Sequence, residues 1–364
     1  MNPASASSDD HEHLCRQDGR EKGILSSALG AIGNTPLVDL SRLVKARNGD
    51  GRILAKLEFL SPGLSKKDRV AYEMIETAER QGQLQQGQTV VELTSGNTGT
   101  GLAIVCAIKG YPFVAVMSKG NSMERARMMT ALGAEVILVD QCPDSVVGKV
   151  SGMDLELVES KTQQVVKERK AFRANQFELE SAMLAHYRNT AREIVQQTTE
   201  SLRGNASTVM EDPPFHVFCD FVGTGGSFGG CTRYFKDHVP EVKSYVVEPE
   251  GAAVLAQAQQ RAGDSTDICI TNPGHKIQGG GYAKTDLTLI DVKLIDGFVT
   301  VTEQEAIEMS RDLAKIEGLF VGFSAGANVA AALKLLSRPE HKGQTVVALL
   351  CDSGLKYLST DLWL

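Results

Sequence analysis

The chain has 364 residues, is 42% hydrophobic and 23% charged, and carries a formal net charge of -7. Its length suits two domains or one large α/β unit, and its composition is that of a globular protein. The acidic balance, without any dense Lys/Arg block, argues against nucleic acid or an anionic membrane surface as a partner.

Residues 1–23 are polar and aperiodic and are expected to form a disordered tail. They lack an apolar core or cleavage pattern, so export is not expected. His11, His13 and Cys15 fall in this tail, and no metal site is expected. Short β-branched runs then alternate with longer amphipathic stretches. The strand candidates are Ile53–Phe59, Thr89–Leu93, Phe113–Met117, Glu135–Val139, His216–Val222, Ser244–Glu248 and Thr345–Cys351. Between them lie helical patterns such as Arg69–Gln81, Thr98–Lys109 and Arg125–Leu132. The apolar run 101–117 is broken by Lys109, Gly110 and Pro112, and reads as helix, turn and buried strand rather than a membrane span. Residues 140–154 read as a loop leading into a helix that presents Val158, Thr162, Val165 and Val166 on one face. The Gly-rich stretch 262–288 reads as a long, irregular connection of the functional kind. Thr302 and Glu305 form a capping box for the helix that follows. Strand-helix alternation predicts an α/β fold with mostly parallel sheets covered on both faces.

Seven Cys are scattered at 15, 106, 142, 219, 231, 269 and 351, with no C-x-x-C pair. Such thiols suggest a reducing, cytoplasmic compartment.

Four segments carry candidate chemistry. Ser65-Lys66-Lys67-Asp68-Arg69 follows turn residues and opens a helix, where a lysine amine can point into a cleft; a solvated helix start is the bland alternative. Thr94-Ser95-Gly96-Asn97-Thr98-Gly99 follows an apolar strand, and its hydroxyls and free N–H groups at a helix N-terminus suit a carboxylate or act as a simple cap. Gly223, Thr224, Gly225, Gly226 and Ser227 follow the strand HVFCDFV and suit a phosphate. A dinucleotide is the rival ligand there, with Glu248 at the end of the next strand, but Phe228 stands where G-x-G-x-x-G needs glycine. Ser324, between small residues at a helix start, is an N-cap or a neutral partner for a ring nitrogen.

The order of these segments, with Gly33-Asn34-Thr35-Pro36-Leu37 before them and Asp352-Ser353-Gly354 and Tyr357-Leu358-Ser359-Thr360 after them, resembles the fold-type II pyridoxal-phosphate enzymes. The similarity is to the O-acetylserine sulfhydrylase (cysteine synthase) and cystathionine β-synthase branch, from about Ile32 to Leu364. The resemblance implies two α/β domains of the tryptophan synthase β-like fold with pyridoxal 5'-phosphate between them. Residues 46–180 would form one domain with a mobile part near 121–170. Residues 24–45 and 181–364 would form the other. The resemblance makes Lys67 the imine lysine, Asn97 the partner of the ring hydroxyl, Gly223–Ser227 the phosphate cup and Ser324 the partner of the pyridine nitrogen. Thr94, Ser95, Gly96, Thr98 and Gln176 would hold the substrate carboxylate. Lys66 occupies a position that is often Val in the family. Tyr282 resembles a tyrosine of the cystathionine β-synthases and is a further substrate-binding candidate; Lys284 is a candidate attractor for an anionic second substrate, or a solvated loop lysine.

The implied reaction is β-replacement on serine or an O-activated serine through an aminoacrylate, adding sulfide, a thiol or another nucleophile. The freed Lys67 amine would serve as general base. A homodimer acting on small molecules is implied, and the C-terminus leaves no room for a regulatory module. The alternatives are a dehydratase-like β-elimination, against which Thr98 and Thr224 speak, a nucleotide-binding oxidoreductase, and a catalytically silent binding protein.

Overall fold

The structure is a computed structural model describing residues 24–94, 96–145, 150–203, 213–261, 275–281 and 285–364. The expected tail, and Ser95, Tyr282 and Lys284, lie outside the described residues.

In chain order the regular elements are β1 (Leu37–Asp39), α1 (Ser41–Ala46), β2 (Arg52–Lys56), α2 (Lys67–Arg80), β3 (Val90–Leu93), α3 (Asn97–Lys109) and β4 (Phe113–Ser118). Then come α4 (Met123–Ala131), β5 (Glu135–Val139), α5 (Gly152–Arg169), β6 (Phe172–Arg173), α6 (Glu180–Ala185) and α7 (Arg192–Arg203). The remainder is β7 (Val217–Phe221), α8 (Gly226–His238), β8 (Lys243–Pro249), α9 (Val254–Arg261), β9 (Gly297–Val301), α10 (Glu303–Asp312), α11 (Phe323–Leu336) and β10 (Thr345–Leu349).

They build two sheets. The first has the order β1-β2-β10-β7-β8-β9, with β1 antiparallel to β2 and every other pair parallel. The second, β5-β4-β3-β6, is parallel throughout. Strand β2, expected with the segment 46–180, is hydrogen-bonded instead into the six-stranded sheet, Leu54 opposite Val347. Its alternation of buried apolar residues is satisfied there by α1, α10 and α11 on one side and α8 on the other.

Parallel strands buried on both faces need continuous apolar runs, and these strands supply them. Val217, Cys219 and Val346 face a core with Leu335 and Ala331, whereas Phe218 and Val347 face another with Phe228 and Phe235. In the smaller sheet Val90 and Phe113 pack with Val70, Met74 and Leu102, and Val91 and Val114 with Val158 and Val165 of α5.

Local signals set the ends. Gly110 stops α3 in the left-handed conformation at φ +79°, so 101–117 is helix, turn and strand. Thr302 and Glu305 make the expected capping box, and Ser151 with Asp154 makes a second one, which starts α5 inside the segment read as loop. The strand read as 53–59 ends at Lys56, because Glu58–Leu60 turns into a 3-10 helix. The short strands β1, β6 and β9 were not foreseen. Among the described residues, no helix is long and apolar enough to cross a membrane.

Candidate active site

Ligand crevices of parallel sheets open at the carboxyl ends of the strands. Here β3 ends at Leu93, β7 at Phe221 and β10 at Leu349, and the segments beyond all three meet one cavity. It is lined by Lys66, Lys67, Asn97, Thr98, Gln176, Phe221, Thr224, Gly279, Ser324 and Cys351. Six expected site residues, Lys67, Asn97, Thr98, Gln176, Thr224 and Ser324, therefore converge from five distant stretches of sequence.

The lysine pair sits on a turn pinned to the end of β10. Leu64 takes a left-handed φ of +59°, a conformation disfavoured for a branched side chain and held here by its surroundings. Its carbonyl accepts from Ser353 N at 3.1 Å, and Lys66 N donates to Cys351 O at 2.9 Å. Helix α2 then begins at Lys67. Four consecutive side chains leave in four directions. Lys66 Nζ donates to both carboxylate oxygens of Asp220 at 2.9 Å and to Ser227 Oγ at 2.8 Å. Lys67 faces the cavity, and its Nζ has no hydrogen-bond partner among the described residues. Asp68 accepts from Gly63 N at 2.5 Å. Arg69 joins Glu58 and Glu193 at 2.7 and 2.6 Å, a buried knot that includes Thr35 and ties the Gly33–Leu37 turn to α2 and α7. That turn thus serves the scaffold rather than the cavity.

The two lysines differ electrostatically. Burial opposes the Lys66 charge, but the facing Asp220 carboxylate prevails and raises its proton affinity. For Lys67, burial and the adjacent Lys66 ammonium bring the amine down to about 8.

The loop after β3 is self-capped. Thr94 Oγ1 accepts from Gly96 N and Gly99 N, both at 2.9 Å, so its hydroxyl oxygen shapes the loop from behind and Thr94 does not line the cavity. Gly96 has φ +125°, and a Cβ there would overlap the buried Arg125 side chain. A Cβ on Gly101 would come within 3.1 Å of Lys67 O, so the small residues of α3 let it pack directly against the lysine turn. Thr98 Oγ1 donates to Gln176 Oε1 at 2.6 Å, and Gln176 Nε2 donates to Leu93 O at 3.2 Å.

Asn97 is oriented by two residues to which the sequence assigned no role, Asp352 and Lys356. Lys356 Nζ can only donate, so its 2.8 Å contact fixes Asn97 Oδ1, and Nδ2 donates to Asp352 Oδ2 at 2.8 Å. One hydrogen of Nδ2 stays available. Burial lowers the Lys356 amine to about 8 and raises the Asp68 carboxyl to about 6.

Beyond β7, Gly225 adopts φ +90° and α8 starts at Gly226. Gly223 lies against the 279–280 backbone, where a Cβ would overlap Gly279 O. Thr224 of this turn lines the cavity, and the first N–H groups of α8 follow directly after it, at a helix start where they have no partner within the helix. The Ser227 hydroxyl turns the other way: it donates to Asp220 Oδ2 at 2.5 Å and accepts from Lys66. Of this residue only the backbone N–H is left for a ligand. Asp220, an acidic residue inside the apolar run HVFCDFV, was the overlooked signal, and Asn328 supports it through Nδ2 at 3.1 Å.

Glu248, the acidic residue a dinucleotide reading needs, accepts instead from Leu255 N and Ala256 N at 2.9 Å and caps α9.

Comparison with known proteins agrees with this geometry. The family described as "Pyridoxal-phosphate dependent enzyme" matches residues 28–352. A cysteine synthase of Staphylococcus aureus (strain Mu50) is 36% identical over 333 residues, covering 91% of this chain and 95% of its own. O-acetylserine sulfhydrylase isoform 3 of Entamoeba histolytica superposes with a TM-score of 0.77 at 33% identity, covering 94% of this chain and 92% of its own. A hydrogen sulfide-producing enzyme of Fusobacterium nucleatum gives 0.77 at 35%, with 92% and 100% covered, and an O-ureido-L-serine synthase gives 0.76 at 33%, with 94% and 96% covered. Motif order, two-sheet architecture and these likenesses lead to one conclusion: the chain belongs to the pyridoxal-phosphate dependent enzymes of fold type II, in the cysteine synthase-like group.

Proposed function

We propose that this enzyme performs its β-replacement on an O-activated serine with Lys67 as the cofactor-bearing lysine, Gly223–Ser227 as the phosphate cup, and Ser95, Gly96, Thr98 and Gln176 as the carboxylate site, with Thr94 shaping that loop from behind. One observation supports this most directly. Of two adjacent lysines, Lys66 is consumed by Asp220 and Ser227, whereas Lys67, whose amine has no partner among the described residues, lies in the cavity shared with Asn97, Thr98, Gln176, Thr224 and Ser324.

The donor set fits pyridoxal phosphate. There is an amine without a partner among the described residues for its aldehyde, a glycine-rich turn at a helix start for its phosphate, and neutral Ser324 for its ring nitrogen. Bound, the cofactor supplies the electron sink that weakens the bonds at Cα and Cβ of the amino acid.

The chain's own groups do the rest. Lys67, with its amine near 8, is neutral often enough at physiological pH to form a covalent link and, once displaced, to accept the α-proton at Nζ. Asn97, locked by Lys356 and Asp352, offers its remaining Nδ2 hydrogen to the ring hydroxyl. Thr98 spends its hydroxyl hydrogen on Gln176 Oε1, which orients the amide so that the Nε2 hydrogen not given to Leu93 O would meet the α-carboxylate. Ser324 cannot hold the ring nitrogen protonated as a carboxylate would, which favours early departure of the β-substituent.

Purified enzyme should be offered O-acetylserine and O-phosphoserine, each with sulfide and small thiols, and the products weighed by mass spectrometry. A β-substituted alanine formed by the wild type but not by Lys67→Ala is expected. Product formation undiminished in Lys67→Ala would sink the assignment. We also propose a cytoplasmic homodimer whose substrate-side part, near 121–170, moves on binding. Light scattering that gives a monomer mass would exclude the dimer.

A further inference from the structure

The Lys66–Asp220 pair is not explained by holding the fold together. Both side chains are buried, and replacing such a pair with apolar residues is often neutral or stabilising. Its arrangement is directional. Lys66 lines the cavity, while Asp220 lies behind it, fully buried on β7 and held by Ser227 Oγ at 2.5 Å and Asn328 Nδ2 at 3.1 Å. Lys66 therefore lies between the ligand space and its counter-charge, and because its three ammonium hydrogens are taken up by Asp220 and Ser227, it acts on a ligand through its charge and not through a hydrogen bond. It also touches the phosphate-cup residue Ser227 directly, at 2.8 Å.

We propose that Lys66 is a positioning residue of the phosphate cup: its ammonium, locked by Asp220 and Ser227, is a fixed positive charge that holds the anionic phosphate of the cofactor at Gly223–Ser227. This rests on the reading of Gly223–Ser227 as the cup. It adds a side-chain charge to a turn that otherwise offers only dipoles, N–H groups and hydroxyls. It also gives the Ser227 hydroxyl a task, that of linking Lys66 to Asp220 rather than touching the phosphate.

The test uses the apo forms of the wild type, Lys66→Met, Asp220→Asn and the double variant, each titrated with pyridoxal phosphate and with pyridoxal. The quantity read is the ratio of the two affinities, followed through the absorbance of the lysine-bound cofactor. Pyridoxal lacks the phosphate and cancels any effect on Lys67 itself. Lys66→Met leaves the Asp220 charge exposed to the phosphate and should lower the ratio about tenfold or more. The double variant, with neither charge, should fall between Lys66→Met and the wild type. Asp220→Asn leaves Lys66 unneutralised and should raise the ratio.

If Lys66→Met does not fold, judged by its thermal melt, the other two variants still carry opposite predicted signs. An unchanged ratio in the folded variants, or a fall in Asp220→Asn as large as in the double variant, would overturn the proposal. Thr224→Val tests the cup separately. An unchanged ratio there sinks the cup reading, whereas an unchanged ratio confined to the Lys66 and Asp220 variants sinks only the role of Lys66.

Discussion

The depressed proton affinity of Lys67 makes a quantitative prediction about cofactor capture. Only a neutral amine attacks an aldehyde. At pH 7 an ordinary lysine, at 10.5, is neutral about three times in ten thousand, whereas an amine near 8 is neutral about one time in ten. Capture at pH 7 should therefore run about 300-fold faster than an unperturbed lysine would allow. Stopped-flow mixing of apoenzyme with pyridoxal phosphate between pH 6 and 10.5 should show log rate rising with unit slope and levelling near pH 8. A slope that continues unbroken beyond pH 9.5 would refute the argument.

The same shift has a stability consequence of defined sign. The folded-state value lies below the unfolded one, so between about 8 and 10.5 the unfolded chain binds more protons and stability rises with pH. The penalty of charging Lys67 is fully present below pH 8. Lys67→Met should therefore stabilise the apoenzyme at pH 7 by up to about 3 kcal/mol, an advantage that fades by pH 10.5 in urea melts.

Other consequences are separable. Gln176→Ala removes the acceptor of Thr98 and should raise KM for the amino acid about tenfold while changing kcat less, as steady-state kinetics would report. Gly229→Ala puts a Cβ into Leu289 O, a backbone atom that cannot step aside, and should cost about 3 kcal/mol in thermal or urea denaturation. Gly82→Ala, in open space at φ +68°, should cost only about 1 kcal/mol. Glu92 is buried on β3, and burial pushes its carboxyl up to about 8. Its folded value lies above the unfolded one, so its contribution is present below about pH 4.5 and is lost as pH rises through 8. Glu92→Gln should therefore raise the melting temperature at pH 8.5 and change it little at pH 4.5.

Much of the scaffold was legible because burial leaves periods in the sequence. Helix α2 buries Val70, Ala71, Met74, Ile75 and Ala78 at helical spacing, and the parallel strands are short, mostly apolar runs. The errors have physical causes. β6 is two residues long and exists because Val90 and Val91 pair with it; nothing within Phe172–Arg173 announces it. Glu248, the acidic residue of the rival dinucleotide reading that Phe228 already spoke against, caps the next helix. The hydroxyl of Thr94, whose segment suited a carboxylate or a simple cap, and that of Ser227 in the expected phosphate cup both turn inward, because each lies beside N–H groups or a buried charge that it can bond. Asp352 and Lys356 escaped because their partner Asn97 is some 255 and 259 positions away.

The lysine pair shows how distant residues settle what a local motif leaves open. By sequence Lys66 and Lys67 are near equivalents at a helix start. In the fold, Lys66 N is bonded to the end of β10 and its Nζ to Asp220 on β7, so both ends of this residue are fixed by the six-stranded sheet. Neighbours on a helix point about 100° apart. Once Lys66 is held toward Asp220, Lys67 is aimed away from it, into the cavity between the two sheets. Asp220, 154 residues downstream, thus gives a structural reason, beyond what the resemblance of Ser65–Arg69 implies, for reading Lys67 as the cofactor-bearing lysine. The residue that resembles the family least in this motif is the one that directs the residue that resembles it most.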